Sequence, residues 1–179
     1  GVLIVAAAGN DSSDIDEYKV APAYYSNSFT VSAVDQSGNF ASYSNFGDSV
    51  DVAAVGSRVY APYIHSDSSY AYSSGTSMST PFVSALAAII KSYDSSLSVS
   101  EIQRLIKSSA TRVSSDPSST FGDGIINAKR ALFLIGEESL NDDSSVASNL
   151  IGATGDYSDL ACYPNPLNLA SNESSQCMF

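Results

Sequence analysis

The sequence predicts an α/β protein, and three observations carry that prediction. The first is Gly1-Val2-Leu3-Ile4-Val5-Ala6-Ala7-Ala8-Gly9-Asn10, an unbroken apolar run closed by Gly-Asn. Such a run fits a parallel strand buried on both faces, and the carboxyl end of such a strand is where open α/β sheets place their ligands. The second is the glycine-led turn Gly75-Thr76-Ser77-Met78-Ser79-Thr80-Pro81, which leads into an apolar run over residues 81–90 that reads as a buried helix. The third is composition: 44% hydrophobic residues, rich in small ones, suit close packing of helices on a sheet. At 179 residues there is room for one domain of ordinary size with a real core.

The elements follow in order. Strands are expected near 1–7, 29–34 and 50–54, with a short strand near 69–73 leading into the Gly75 turn. Helices are expected over about 77–93, 99–110 and 125–135. The second has a clean start. Ser98 or Ser100 can cap it, Glu101 suits its first turn, and Ile102, Leu105 and Ile106 form an apolar face. Both it and the third helix, with Ile125, Ile126, Ala131 and Leu132, read as packing elements.

Charge divides the chain. The formal net charge is −11, from 8 basic and 19 acidic residues. After residue 136 come seven acidic residues and no Lys or Arg. Residues 137–179 are therefore expected to form an acidic, Ser/Asn-rich, largely disordered tail, with a spacer as its simplest role. Nucleic-acid binding is not expected, because no basic patch is present to neutralise phosphates. Nor is membrane insertion, since the apolar stretch at 82–90 is too short to span a bilayer. Both cysteines, Cys162 and Cys177, lie in the tail. A local disulfide in an oxidising compartment is favoured, with two free thiols as the alternative. Asn172-Glu173-Ser174 and Asn10-Asp11-Ser12 are formal glycosylation acceptors, the second expected to be unused.

Chemistry points to Ser77. A serine at a helix start lies where unpaired backbone N–H groups and the positive end of the helix dipole converge. Negative charge on an oxygen is stabilised there, as acyl transfer requires. The combination of Gly, Thr-Ser, Met, a small residue and Pro at these offsets resembles the nucleophile motif of the subtilisin-like serine proteases. Ala7-Ala8-Gly9-Asn10, 67 residues earlier, is similar to that family's oxyanion segment. Four more landmarks follow the family's order. They are Val20-Ala21-Pro22-Ala23 with the strand after it, Ala41-Ser42-Tyr43-Ser44-Asn45-Phe46-Gly47, Val50 to Gly56, and Phe121-Gly122-Asp123-Gly124-Ile125-Ile126-Asn127-Ala128.

The resemblance covers about residues 1–136. It implies the C-terminal portion of a three-layer, parallel-sheet subtilisin-like fold. It further implies Ser77 as nucleophile and Asn10 as side-chain oxyanion donor alongside the Ser77 N–H. Ala7, Ala8 and Gly9 would form one wall of the substrate pocket, and the substrate would be a polypeptide. No cofactor is expected. Met78, beside the oxyanion site, should impair turnover when oxidised.

The departures are informative. Val55 stands where the family usually has Pro, Phe82 where it has a non-catalytic His, and Ala85 where it has Gly. A serine hydroxyl also needs a base, and the base an orienting group. The family takes these Asp and His residues from segments upstream of the Asn segment, where this chain begins. They are expected in a preceding half of the domain, without which the chain should be inactive and poorly soluble or unfolded. The one histidine, His65, lies in a polar loop and is not assigned to the triad. Asp11-Ser12-Ser13-Asp14-Ile15-Asp16-Glu17 offers four carboxylates. Calcium is conceivable there by analogy with the family, but the loop lacks the spacing of a calcium site, and a solvated acidic rim is favoured. Secretion is the family's usual habit. The rival readings are a non-catalytic pseudoprotease or binding module on the same scaffold, and a sedolisin-type peptidase, against which Asn10 argues.

Overall fold

The computed structural model describes residues 1–64, 66–113 and 120–141, with side chains as far as Gly136. Residues 1–137 form one compact unit, and 138–179 cluster as a second, of which only the helical residues up to Asn141 are described. The expectations for His65, for Cys162 and Cys177, for the Asn172 acceptor and for tail disorder beyond Asn141 lie outside the described residues.

Three parallel strands form the sheet, β1 (Ile4–Ala7), β2 (Ser28–Val34) and β3 (Val52–Val55), in the order β1-β2-β3. Ile4 pairs with Ser28 and Ala7 with Val31; Val31 pairs with Val52 and Val34 with Val55. β2 is buried at every position, as expected for a strand flanked on both edges and covered on both faces. Its inward hydroxyls are satisfied: Thr30 Oγ1 donates to Ala23 O at 2.7 Å, and Ser32 Oγ to Thr120 O at 2.7 Å.

Side-chain alternation separates two cores. Phe29, Val31, Val52 and Ala54 face Val83, Leu86, Ile90, Ile102, Leu105, Ile106, Ala131 and Ile135, which come from the three longer helices. The opposite face of the sheet packs in smaller clusters, Ala8 with Ile15, Ala23 and Val50, and Val34 with Ala53 and Phe121. The one-turn helix α1 (Ile15–Tyr18) sits on that side, capped by Asp14 Oδ1, which accepts from the N–H groups of Asp16 and Glu17.

Strands β4 (Val59–Pro62) and β5 (Tyr70–Ser73) form a separate antiparallel hairpin. The strand expected at 69–73 exists, but its partner was not foreseen. Tyr60 stacks on Tyr70 and packs against Tyr72 on this hairpin, and Arg58 lies over the Tyr72 ring.

Helix α2 (Thr76–Tyr93) carries the run expected to be a buried helix. It buries one stripe, Thr76, Ser79, Val83, Leu86, Ala87 and Ile90, while Phe82, Ile89 and Tyr93 are exposed. The 3.6-residue period turns only one face of the helix to the sheet. Helix α3 (Val99–Ser109) begins with a full capping box between Ser98 and Glu101. Hydrogen bonds from Ser98 hold the Glu101 carboxyl below the usual carboxylate range.

Helix α4 (Ala128–Asn141) starts later than expected. Ile125 and Ile126 are bound into the sheet region instead, through bridges to Ala53 and Thr111 and a bond from Ile126 N–H to Ala53 O. Asn127 Oδ1 then accepts from Arg130 N–H at 2.9 Å and opens the helix. The same helix runs past the tail boundary placed at 136.

A polar lock ties sheet to helix. Asp51 Oδ2 accepts the Thr30 N–H at 2.7 Å, and Lys107 Nζ reaches Asp51 at 3.0 Å and Asp123 at 3.2 Å. Burial pulls the Lys107 ammonium down, but hydrogen bonds and charge from the two carboxylates outweigh it and hold its pKa above the usual lysine value.

Candidate active site

The site forms where β1 ends and α2 begins. The chain leaves β1 through Gly9 at φ 107°, a conformation that L side chains rarely adopt. A Cβ at Gly9 would also overlap the side-chain amide of Asn45. This turn delivers Asn10 to the surface. From the other direction, the β4–β5 hairpin returns the chain to Gly75, whose N–H donates to Gly56 O at 2.9 Å. Gly75 is the N-cap of α2, at φ 155° and ψ 159°, a region open essentially to glycine alone.

Gly75 has no side chain with which to cap the helix, and Asn10 takes over that work. Asn10 Oδ1 accepts from the Thr76 N–H at 2.8 Å and from the Thr76 hydroxyl at 3.1 Å. Thr76 Oγ1 in turn accepts the Gly9 N–H at 3.1 Å. Thr76 is fully buried and Asn10 exposed, so these three bonds are partly shielded from water. With Oδ1 committed to Thr76, the Asn10 carboxamide has one orientation, and its Nδ2 is the end left over.

Ser77 is exposed in the first turn of the helix. Of the first backbone donors, Thr76 N–H is taken by Asn10 and Met78 N–H by Gly75 O at 2.9 Å. Among the described residues neither the Ser77 N–H nor Asn10 Nδ2 has a hydrogen-bond partner. Both are donors beside the positive end of an 18-residue helix. Two donors with no partner among the described residues, at the start of the helix that carries the Ser77 hydroxyl, suit the needs of a developing oxyanion.

The site is anchored from below. Ser79 Oγ donates to Ala54 O at 3.0 Å, fixing the first turn of α2 to β3. Thr80 Oγ1 donates to Thr76 O at 2.8 Å. Pro81, lacking an N–H, leaves the Ser77 carbonyl without its usual partner four residues on.

The expected pocket wall divides. Ala7 and Gly9 are half-buried and present surface, whereas the Ala8 side chain is fully buried against Ile15, Ala23 and Val50. The Ala8 N–H donates to Val31 O, and its carbonyl accepts from Asn45. Alternation along the strand sends Ala8 to the side of the sheet opposite α2.

The acidic loop is largely engaged by its own chain. Asp14 caps α1, and Asp16 accepts from the N–H and hydroxyl of Ser49. Among the described residues no group of three or more His, Cys, Asp or Glu side chains is arranged to hold a metal ion. Two buried residues, Thr76 and Asn45, organise the site and were not singled out from the sequence. The spacing of Thr76 beside Ser77 was the only available signal for the first, and the Ser44-Asn45 landmark for the second.

Fold and site together define a class: parallel-sheet α/β proteins that present a serine at a helix N-terminus, at the carboxyl edge of the sheet. Within that class the chain belongs to the subtilase family, whose model matches residues 1–125. It is 40% identical over 131 residues to subtilisin BL of Lederbergia lenta, covering 73% of this chain and 46% of that protein. Thermitase of Thermoactinomyces vulgaris is 40% identical over 132 residues, covering 74% and 44%. Among solved structures, a protease of Pseudoalteromonas arctica superposes with a TM-score of 0.67 at 32% identity, covering 75% of this chain and 43% of that one. The epidermin leader peptide processing serine protease of Staphylococcus aureus gives 0.66 at 26%, covering 74% and 40%. The chain thus spans between a third and a half of the length of the curated relatives it matches.

Proposed function

We propose that this chain is the nucleophile-bearing part of a subtilisin-like serine endopeptidase. The observation that carries the reading is the Asn10–Thr76 pairing, which ties Asn10 to the helix start next to Ser77 and leaves Asn10 Nδ2 and the Ser77 N–H without a partner among the described residues. Ser77 Oγ attacks the peptide carbonyl carbon, and the electron pair displaced onto the carbonyl oxygen is held by those two donors. A histidine supplied by a preceding part of the protein, oriented by an aspartate, takes the hydroxyl proton. It passes that proton to the departing amine as the C–N bond breaks. Water then repeats the attack on the acyl-enzyme. This mechanism uses no cofactor.

Ala7 and Gly9 are proposed to line the substrate pocket, with Ala8 supporting them from behind. Exposed apolar groups support a preceding segment that covers them: Val2 and Ile4 on β1, and Phe82 and Ile89 on α2. β1 is also an edge strand among the described residues. An extracellular location belongs to the same reading; no described helix is long and apolar enough to cross a membrane.

The test is covalent labelling of the full-length protein by a serine-directed fluorophosphonate. Labelling is expected in the wild type and absent in Ser77→Ala. Labelling that survives the substitution, or a wild type that never labels, would defeat the proposal and favour a non-catalytic scaffold.

A further inference from the structure

We infer that Asn45 is a positioning residue for the oxyanion site, acting through Asn10; the inference rests on the protease reading above. Asn45 is among the largest fully buried side chains, and it is polar. Burying a carboxamide is unfavourable unless each of its groups is paired. Here every one is, and always to the segment that carries Asn10. Asn45 Oδ1 accepts the Asp11 N–H at 2.8 Å and the Ser13 N–H at 3.0 Å. Its Nδ2 donates to Ala8 O at 3.0 Å, and its own backbone N–H donates to Gly9 O at 2.9 Å.

These four bonds grip residues 8, 9, 11 and 13 and leave out residue 10. The backbone on both sides of Asn10 is therefore tied to a single buried side chain, while the Asn10 side chain meets Thr76. The glycine at position 9 belongs to the same contact, because any Cβ there would collide with the Asn45 amide. Neighbouring bonds reinforce it: Ser12 N–H donates to Tyr43 O at 3.0 Å, Phe46 N–H to Ser13 O at 3.1 Å, and Ile15 N–H to Phe46 O at 2.8 Å. Those last contacts are backbone-to-backbone and tolerate many side chains. Asn45 alone supplies both a donor and acceptors from its side chain, so its identity sets the path of the turn.

An oxyanion donor works only if it is already in place when charge develops, and displacements of about 1 Å cost on the order of 10²-fold. Loosening the turn should therefore act on kcat more than on KM. The experiment is a double-mutant cycle in the full-length protein, with Asn45→Ala, Asn10→Ala and the pair. Active sites are counted by fluorophosphonate, and folding is followed by thermal melting. Asn45→Ala is expected to lower kcat by roughly 10- to 100-fold, with KM within about threefold. In the Asn10→Ala background the same change should cost less than about threefold, because the donor it positions is gone.

Should Asn45→Ala fold poorly, Asn45→Ser leaves an uncharged hydroxyl in the same buried place, able to donate and accept. It is expected to give a smaller kcat loss that likewise vanishes without Asn10. An undiminished loss in the Asn10→Ala background, or an unchanged kcat in a folded Asn45 variant, would overturn the inference while leaving Ser77 labelling intact. A wild type that does not label would instead remove the protease reading itself.

Discussion

Replacing Gly75 with alanine puts the site to its sharpest test, because two separable effects meet at one atom. The backbone there has φ 155° and ψ 159°, and holding a non-glycine residue in that region costs about 1–3 kcal/mol. At roughly 2–4 °C per kcal/mol, the melting temperature should fall by about 2–12 °C. The new Cβ would also stand 3.3 Å from Asn10 Nδ2, tighter than an ordinary contact, so that the amide has to give by a few tenths of an ångström. The amide cannot yield freely, since its oxygen is bonded twice to Thr76. Complete loss of one oxyanion donor costs about 10²–10³ in kcat, a figure measured on a subtilisin, and it sets the ceiling. Gly75→Ala should lower kcat by about tenfold up to that ceiling, with KM changed by less than about threefold. The assay is steady-state cleavage of a peptide substrate by the full-length protein, normalised to fluorophosphonate-titrated sites. A folded Gly75→Ala protein whose kcat stays within about twofold of wild type would refute the placement of Asn10 as the donor.

Two further predictions concern stability. Ile106, fully buried between α3 and the sheet, should cost about 2–5 kcal/mol when cut to alanine, read as a lower denaturation midpoint with an unchanged slope. The lock among Lys107, Asp51 and Asp123 should fail at alkaline pH. Its lysine has a raised folded-state pKa, so its contribution is complete below the unfolded value of about 10.4 and disappears as pH rises through the folded one. Thermal melts of wild type and Lys107→Gln should therefore differ near neutrality and converge only at alkaline pH, beyond the ordinary lysine value. Convergence already near neutral pH would show that the lock contributes nothing.

Much of this architecture was legible because burial leaves a pattern. The apolar run into Gly9 announced β1, and Ser98 or Ser100 with Glu101 announced the start of α3, where the structure uses Ser98. What escaped had weaker signatures. β4 alternates between exposed and half-buried residues and ends in Pro62, so it reads as loop until its tyrosines are seen pairing with those of β5. Ile125 and Ile126 looked like the first turn of a helix face, yet their backbone bridges Thr111 and Ala53; an apolar pair is too short to distinguish the two. Within the site, Ser77 and Asn10 stand out by their motifs. The exchange through which Thr76 orients Asn10 is a tertiary contact 66 residues long, and no local pattern reports it. Asn45 shows the same limit: a polar residue in a polar stretch gives no hint that it will be buried completely.

That long contact has a consequence for how the protein comes into being. Residues 8–13 are bonded to Asn45 and to Thr76 across 32 to 67 residues of chain, so the site is assembled from distant segments. Closing loops of such length costs entropy that local helix formation does not repay. An intermediate holding its helices but lacking the docked sheet would carry the same serine with no arranged donors beside it. On the protease reading, hydrolytic power in the full-length protein should therefore arrive only with these tertiary contacts.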